Sequence, residues 1–149
     1  MASTNPARAV PSDAEASIVA RALRLDTFFP EFTGEQCSKI LPRSGVGVYA
    51  AGEFVIEQGE SGRDLFVLLD GSVSVTLSMG SAGAELATLG VESLLGEVAL
   101  LRDGQRTASA MALVPTRAFR LMFEDMGYIL QNNPELASHL QGLAQQRAS

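Results

Sequence analysis

LLGEVALLRDGQRTASA, residues 94–110, sets Gly96 and Glu97 at the mouth of a short apolar segment, Val98-Ala99-Leu100-Leu101. The chain then returns through Arg102-Asp103-Gly104-Gln105 to Arg106 and Thr107. These are the parts of a small pocket for a phosphate ester. Gly96 lets backbone approach a ligand closely. The residues after it, Val98 and Ala99 among them, have room for one helical turn, whose free N–H groups and positive dipole end suit an anion. Arg106 offers a planar fork to two phosphate oxygens. Glu97 is an acceptor for a sugar hydroxyl.

In this order and spacing, Gly96, Glu97, Ala99, Leu100, Arg106, Thr107 and Ala108 resemble the phosphate-binding cassette of the cyclic nucleotide-binding domain family. Leu95 stands where that family usually has Phe, and Gln105 where it usually has Pro. Leu89-Gly90-Val91-Glu92-Ser93 replaces a run that often reads Leu-Gly-Pro-Gly-Asp, so a second glycine is missing at Glu92. The resemblance implies that Glu97 holds a ribose 2′-hydroxyl and that Arg106 holds a cyclic phosphate. It implies that Gly96, Val98 and Ala99 line the same site. It also implies that the Thr107 hydroxyl reaches the phosphate or the 2-amino group of a syn guanine. The ligand would be cAMP or cGMP. Beside that reading stands a plainer one, with Arg106 and Glu97 as a structural ion pair and Thr107 as an ordinary β-branched strand residue.

Around the cassette the chain alternates in texture. Residues 1–11 carry two prolines and no apolar period, and read as a flexible arm. Ser12 and Glu15 form a capping box ahead of apolar residues at helical spacing, which predicts a helix over 13–25. Thr33 and Gln36 predict a second box, with Pro42 ending its helix. From Gly45 short apolar runs recur every 8–12 residues between glycine turns, a sign of an antiparallel sandwich or barrel. The runs are 46–49, 54–56, 65–69, 73–77, 86–89, 108–113 and 118–122. Asp70-Gly71 marks a tight hairpin. Alternation in Val73-Ser74-Val75-Thr76-Leu77 predicts one buried and one wet face. Residues 79–85 read as a mobile hairpin tip. Helical period returns after Met122, with Asn133 capping a last helix that starts at Pro134.

The expected fold is therefore mainly β with flanking helices: an antiparallel β-roll or jelly-roll barrel with N-terminal and C-terminal helices. The arm covers 1–11 and one domain covers 12–149, with helices in 13–41, a β-roll over 45–122 and C-terminal helices over 123–147. The family's turns and strands fall in register from about Leu25 to Leu143, for example at Gly52-Glu53, Gln58-Gly59, Gly62 and Asp64-Leu65-Phe66.

At 149 residues the chain is long enough to bury about 68–70% of its unfolded surface. With 17 acidic against 11 basic residues it carries a net charge of −6, a poor balance for a polyanion partner, so no DNA binding is expected of it. No apolar run is long enough to span a bilayer, so no membrane insertion is expected. One cysteine, Cys37, excludes a disulfide framework, and one histidine, His139, leaves no usual transition-metal set. No nucleophile sits beside a base, so an enzyme, such as a metal-dependent cupin, is not expected. Three classes of function compete. A cyclic nucleotide sensor leads, which changes the position of its C-terminal helix (134–146) on ligand binding, with the filled pocket or another subunit as the docking surface. A domain with a degenerate pocket, acting as an interaction unit, is the alternative. The barrel enzyme is last. No cofactor is implied beyond the nucleotide, the compartment reads as cytoplasmic, and the partner would be an effector protein or a second copy.

Overall fold

The computed structural model describes residues 9–26, 29, 31–79, 82–97 and 104–148. Two short helices open it, α1 (Asp13–Ala22) and α2 (Gly34–Ile40). Eight strands follow among the described residues: β1 (Gly45–Tyr49), β2 (Phe54–Ile56), β3 (Leu65–Asp70), β4 (Val73–Met79), β5 (Ala82–Leu89), β6 (Leu94–Leu95), β7 (Ser109–Ala112) and β8 (Thr116–Leu121). Two helices close it, α3 (Phe123–Asn132) and α4 (Pro134–Ala148). The strands pair antiparallel in two four-stranded sheets, ordered β1-β8-β3-β6 and β2-β7-β4-β5. This is the expected β-roll with flanking helices.

Strand β3 explains the layering. All of Leu65, Phe66, Val67, Leu68 and Leu69 are buried. Successive side chains point to opposite faces, so Leu65, Val67 and Leu69 meet one core while Phe66 and Leu68 meet another. The first core lies under the helices and takes in Val19, Leu23, Cys37, Leu41, Phe119, Met126, Leu136 and Leu140. The second lies between the sheets and takes in Ile56, Val73, Leu95 and Ala110. It backs the cassette.

Helix α1 begins at a full capping box. Glu15 N–H donates to Ser12 Oγ at 3.1 Å, and Ser12 N–H to Glu15 Oε1 at 3.0 Å. It stops at Ala22 rather than running to Leu25. Arg24 takes a left-handed φ of 59°, with Arg24 N–H donating to the Arg21 carbonyl and Leu25 N–H to the Ala20 carbonyl at 2.7 Å. That is a Schellman stop, usually built on glycine. Asn133 Nδ2 donates to the Arg24 carbonyl at 3.0 Å, while its Oδ1 accepts from Leu136 N–H. The cap of α4 is thus tied to the end of α1. Leu136 and Leu140 sit in the core under α1, so α4 docks on the helical layer. The side chain of Leu143 lies outside the described residues.

Three other expectations are corrected. Within the arm, Ala9 pairs with Val46 through two backbone hydrogen bonds, which extends the β1 edge by one residue; residues 1–8 are outside the described set. The hairpin of β4 and β5 runs to Met79 and Ala82, because Leu77, Ser78 and Met79 pair with Ala84, Gly83 and Ala82. Cross-strand pairing overrides the weak strand preference of Gly and Ala there. The outward face of β4 is not uniformly wet, since Ser74 is buried and donates to Glu85 at 2.5 Å.

A two-pronged ion pair helps hold α1 to the roll. Arg117 of β8 gives a two-pronged pair to Glu15, at 2.7 and 3.1 Å. The Arg117 hydrogen bonds hold the Glu15 carboxyl below its ordinary value of 4.5. The folded state then takes up a proton less readily than the unfolded one. The contribution is present above the unfolded value and is lost as pH falls through the folded value. Arg117 is partly exposed, so the expected size is about 0.5–1 kcal/mol. Thermal unfolding from pH 7 down to 3 should fall less steeply below pH 4.5 in Glu15→Gln than in the wild type; equal slopes would show that the pair contributes nothing.

Candidate functional site

Strand β6 delivers the cassette. Leu94 and Leu95 pair with Val67 and Phe66 of β3, and the chain then turns at Gly96, whose φ is +96°. Just before β6, Glu92 holds φ at +76°. The turn keeps a glycine-like shape without glycine, at a cost of about 1–2 kcal/mol. Glu97 follows at 1% exposure. Val98, Ala99 and the expected helical turn lie in 98–103, outside the described residues.

Arg106 comes back to the start of the cassette. Its Nη1 donates to the Gly96 carbonyl at 3.2 Å and its Nη2 to the Asp64 carbonyl at 2.9 Å. The side chain is 7% exposed. Glycine is required at Gly96 and gives the fork a close fit at Gly62. A Cβ on Gly96 would lie 2.7 Å from Nη1 and 2.8 Å from the Asp64 carbonyl oxygen; one on Gly62 would lie 3.0 Å from Nη2. The Phe66 ring lies 6.0 Å from the guanidinium carbon. Burial pushes the Arg106 pKa down, and the charges of Asp64, Glu60 and Glu97 pull it back up. An arginine so placed stays a cation. It uses two of its five N–H donors on these carbonyls among the described residues, which leaves others for a bound anion.

The backbone around Arg106 is also fixed. Gly59 N–H donates to the Arg106 carbonyl at 2.9 Å, Arg106 N–H to the Glu60 carbonyl at 2.9 Å, and Gly62 N–H to the Gly104 carbonyl at 2.7 Å. Residues 59–62 thus lie as a short antiparallel partner along 104–106. Sequence reasoning took them only as a turn. Thr107 is half-buried and precedes β7, which starts at Ser109, so it is not a strand residue.

A second layer was missed altogether. Asp64, buried at the head of β3, binds three groups. Its carbonyl takes Arg106, Oδ2 takes Arg120 at 2.7 and 2.8 Å, and Oδ1 takes the Phe123 N–H at 2.9 Å. That last bond caps the N-terminus of α3, where a carboxylate is favoured by the helix dipole. Arg120 also lies over the Phe66 ring, at 5.7 Å. An acidic residue just before an apolar strand gives no local sign of such a role, because its partners lie 42 to 59 residues away.

Of the six candidates, then, Gly96 and Arg106 are in contact and Glu97 is buried beside them in the chain. Thr107 is adjacent to Arg106, and Val98 and Ala99 are outside the described residues. Comparison with known proteins bears on the same region. The family model "Cyclic nucleotide-binding domain" matches residues 46–133, more than half of the chain. The cyclic AMP receptor protein of Thermus thermophilus is 33% identical over 101 residues, which is 67% of this chain and 47% of that protein. Drosophila melanogaster cGMP-dependent protein kinase, isozyme 1, is 36% identical over 84 residues, 54% of this chain and 11% of the kinase. The crystal structure of the Thermus thermophilus catabolite activator protein superposes with a TM-score of 0.65 at 30% identity, over 76% of this chain and 54% of that one. The chain spans less than half the length of these two curated relatives. With the β-roll, the cassette turn and the family match in agreement, the chain belongs to the cyclic nucleotide-binding domain family.

Proposed function

We propose that this chain is a regulatory module that binds cyclic AMP or cyclic GMP and passes occupancy to its C-terminal helices. The observation that carries it is the Arg106 fork, held flat between Gly62 and Gly96 by two carbonyls, with donors left over and Glu97 close by. In this reading Arg106 takes the cyclic phosphate and Glu97 the ribose 2′-hydroxyl. Gly96, Val98 and Ala99 are further ligand contacts in this reading, and Thr107 adds a hydroxyl for the phosphate. The relatives' names fit it, one being a cyclic AMP receptor and another a cGMP-dependent kinase. The module is not an enzyme, does not itself bind DNA or enter a membrane, and acts in the cytoplasm on an effector protein or a second copy.

The route out of the site would run through Asp64, which carries Arg106 on its carbonyl and the first turn of α3 on its carboxylate. A ligand moves a helix only by binding its two positions with different affinity. An oxygen that pulls the Arg106 fork off the Asp64 carbonyl supplies such a difference. A second reading, an interaction module with an unused pocket, is favoured by one observation: Arg106 is already anchored inside the chain. Calorimetric titration with cyclic AMP and with cyclic GMP separates the two. Heat of binding for at least one is expected, and its absence for both supports the second reading.

Thr107 sets an expectation for selectivity. Thr107→Ala should weaken cyclic GMP by roughly three- to tenfold more than cyclic AMP, the scale of one hydrogen bond, because only guanine brings an exocyclic 2-amino donor. Equal losses in the same titrations would assign Thr107 to the phosphate or to the fold alone.

A further inference from the structure

The loop that backs Arg106 is itself held by one side chain. The ladder between β2 and β7 breaks after Ile56, which pairs with Ala110. It resumes only at Gly59, on the Arg106 carbonyl. Gln58 spans the gap. Its N–H donates to Ser109 Oγ at 2.9 Å, at the head of β7. Its side-chain amide grips the backbone of Ser78 at the far end of β4: Nε2 donates to the Ser78 carbonyl at 3.1 Å, and Oε1 accepts the Ser78 N–H at 2.8 Å. Ser78 pairs with Gly83 of β5. One residue thus joins the distal half of the β4–β5 hairpin, the start of β7 and the strip that lies along 104–106.

The strip has no core of its own. Glu57, Glu60 and Ser61 are exposed, and Gly59 and Gly62 carry no side chain to bury. Its inner turn is closed by Glu57 N–H on Glu60 Oε1 and Glu60 N–H on the Glu57 carbonyl. Nothing in those bonds fixes the strip relative to the sheets. Among the described residues, the hydrogen bonds that attach it to the rest of the roll are those of Gln58 and those to residues 104–106. Gly62 meanwhile forms one wall of the Arg106 slot, so a shift of the strip shifts that wall.

We propose that Gln58 is a positioning residue for Arg106. It acts through the 59–62 strip and couples the guanidinium to the end of the β4–β5 hairpin. The amide is suited to this role because it offers one donor and one acceptor in the spacing of a strand residue; a carboxylate or an alkyl chain does not. The consequence for ligand binding rests on the cyclic nucleotide reading, whereas the consequence for the strip does not.

The test has two arms on the full chain. In the first, without ligand, amide hydrogen exchange is compared between wild type, Gln58→Ala and Gln58→Glu. The amides of Gly59, Gly62 and Arg106 should exchange about tenfold faster in Gln58→Ala, the scale of two lost hydrogen bonds. Gln58→Glu, which keeps only the acceptor, should fall between. The β3 and β8 amides, such as those of Val67 and Phe119, should not change. Unchanged exchange in the strip, or a rise spread equally over β3 and β8, overturns the proposal. In the second arm, Gln58→Ala should weaken cyclic AMP and cyclic GMP about five- to tenfold, and should add less than twofold once Arg106 is lysine. Undiminished affinity in Gln58→Ala overturns the positioning role. A strip loosened by Gln58→Ala, together with a wild type that binds neither nucleotide, sustains the clamp on Arg106 and sinks the cyclic nucleotide reading instead.

Discussion

Arg106→Ala is expected to weaken cyclic nucleotide binding by about 2–5 kcal/mol, or roughly thirtyfold to several thousandfold. Among the described residues of the site, the fork is the one side chain that combines burial, a fixed plane and positive charge. Removing it takes the phosphate's main partner and leaves two buried carbonyls, of Gly96 and Asp64, without their donor. Those carbonyls should cost a further ~1–3 kcal/mol of folding stability. Thermal unfolding therefore has to accompany the titration. Arg106→Lys separates the effects, because a lysine keeps the charge but cannot reach two carbonyls and an anion in one plane. It should stay folded and bind weakly. An Arg106→Ala protein that folds and binds at wild-type strength would remove the phosphate from this site.

Asp64→Ala should carry the largest stability cost of any single change near the site. It unpairs Arg120, uncaps α3 and frees the Phe123 N–H in one step. Breaking one side of a buried pair costs ~3–5 kcal/mol. Arg120 is partly exposed, which places the expectation near the lower end, about 3 kcal/mol. For a chain of this size that corresponds to a fall in Tm of roughly 6–12 °C. Asp64→Asn keeps the acceptor for Phe123 and should lose about half as much. Scanning calorimetry measures both, and exchange of the first α3 amides should rise in the alanine variant. A Tm within 2 °C or so of wild type would show that Arg120 and Phe123 find other partners.

What the sequence made legible was what is local. The return of Arg106 to Gly96 is encoded in ten residues of spacing. The caps at Ser12, Thr33 and Asn133 are encoded in three or four. The turn glycines gave the roll, because each strand run is bounded by its own stop signal. What stayed hidden depends on distant partners. Asp64 is an ordinary acidic residue until β8 and α3 are placed beside it. Gln58 reads as a turn residue until the end of β4 arrives. The small residues of 79–85 read as loop, since strand pairing there comes from the partner strand. The seat of α4 could not be told from its stripe, as Leu136 and Leu140 fit any apolar surface. The helical layer wins because Asn133 ties the cap of α4 to the end of α1.

Cys37, on the buried side of α2 in the helical core, has a consequence for how the domain meets oxidants. Burial pushes its thiol up to about 12, with the nearby Asp125 charge adding to the shift. Thiolate is the reactive form, and at neutral pH almost none is present. The chain's only sulfhydryl is therefore silent toward peroxide, disulfides and alkylating labels while the helices stay packed. Its modification would report that the helical layer had opened. A cysteine introduced on an exposed face would take a spectroscopic label without competition from the native thiol.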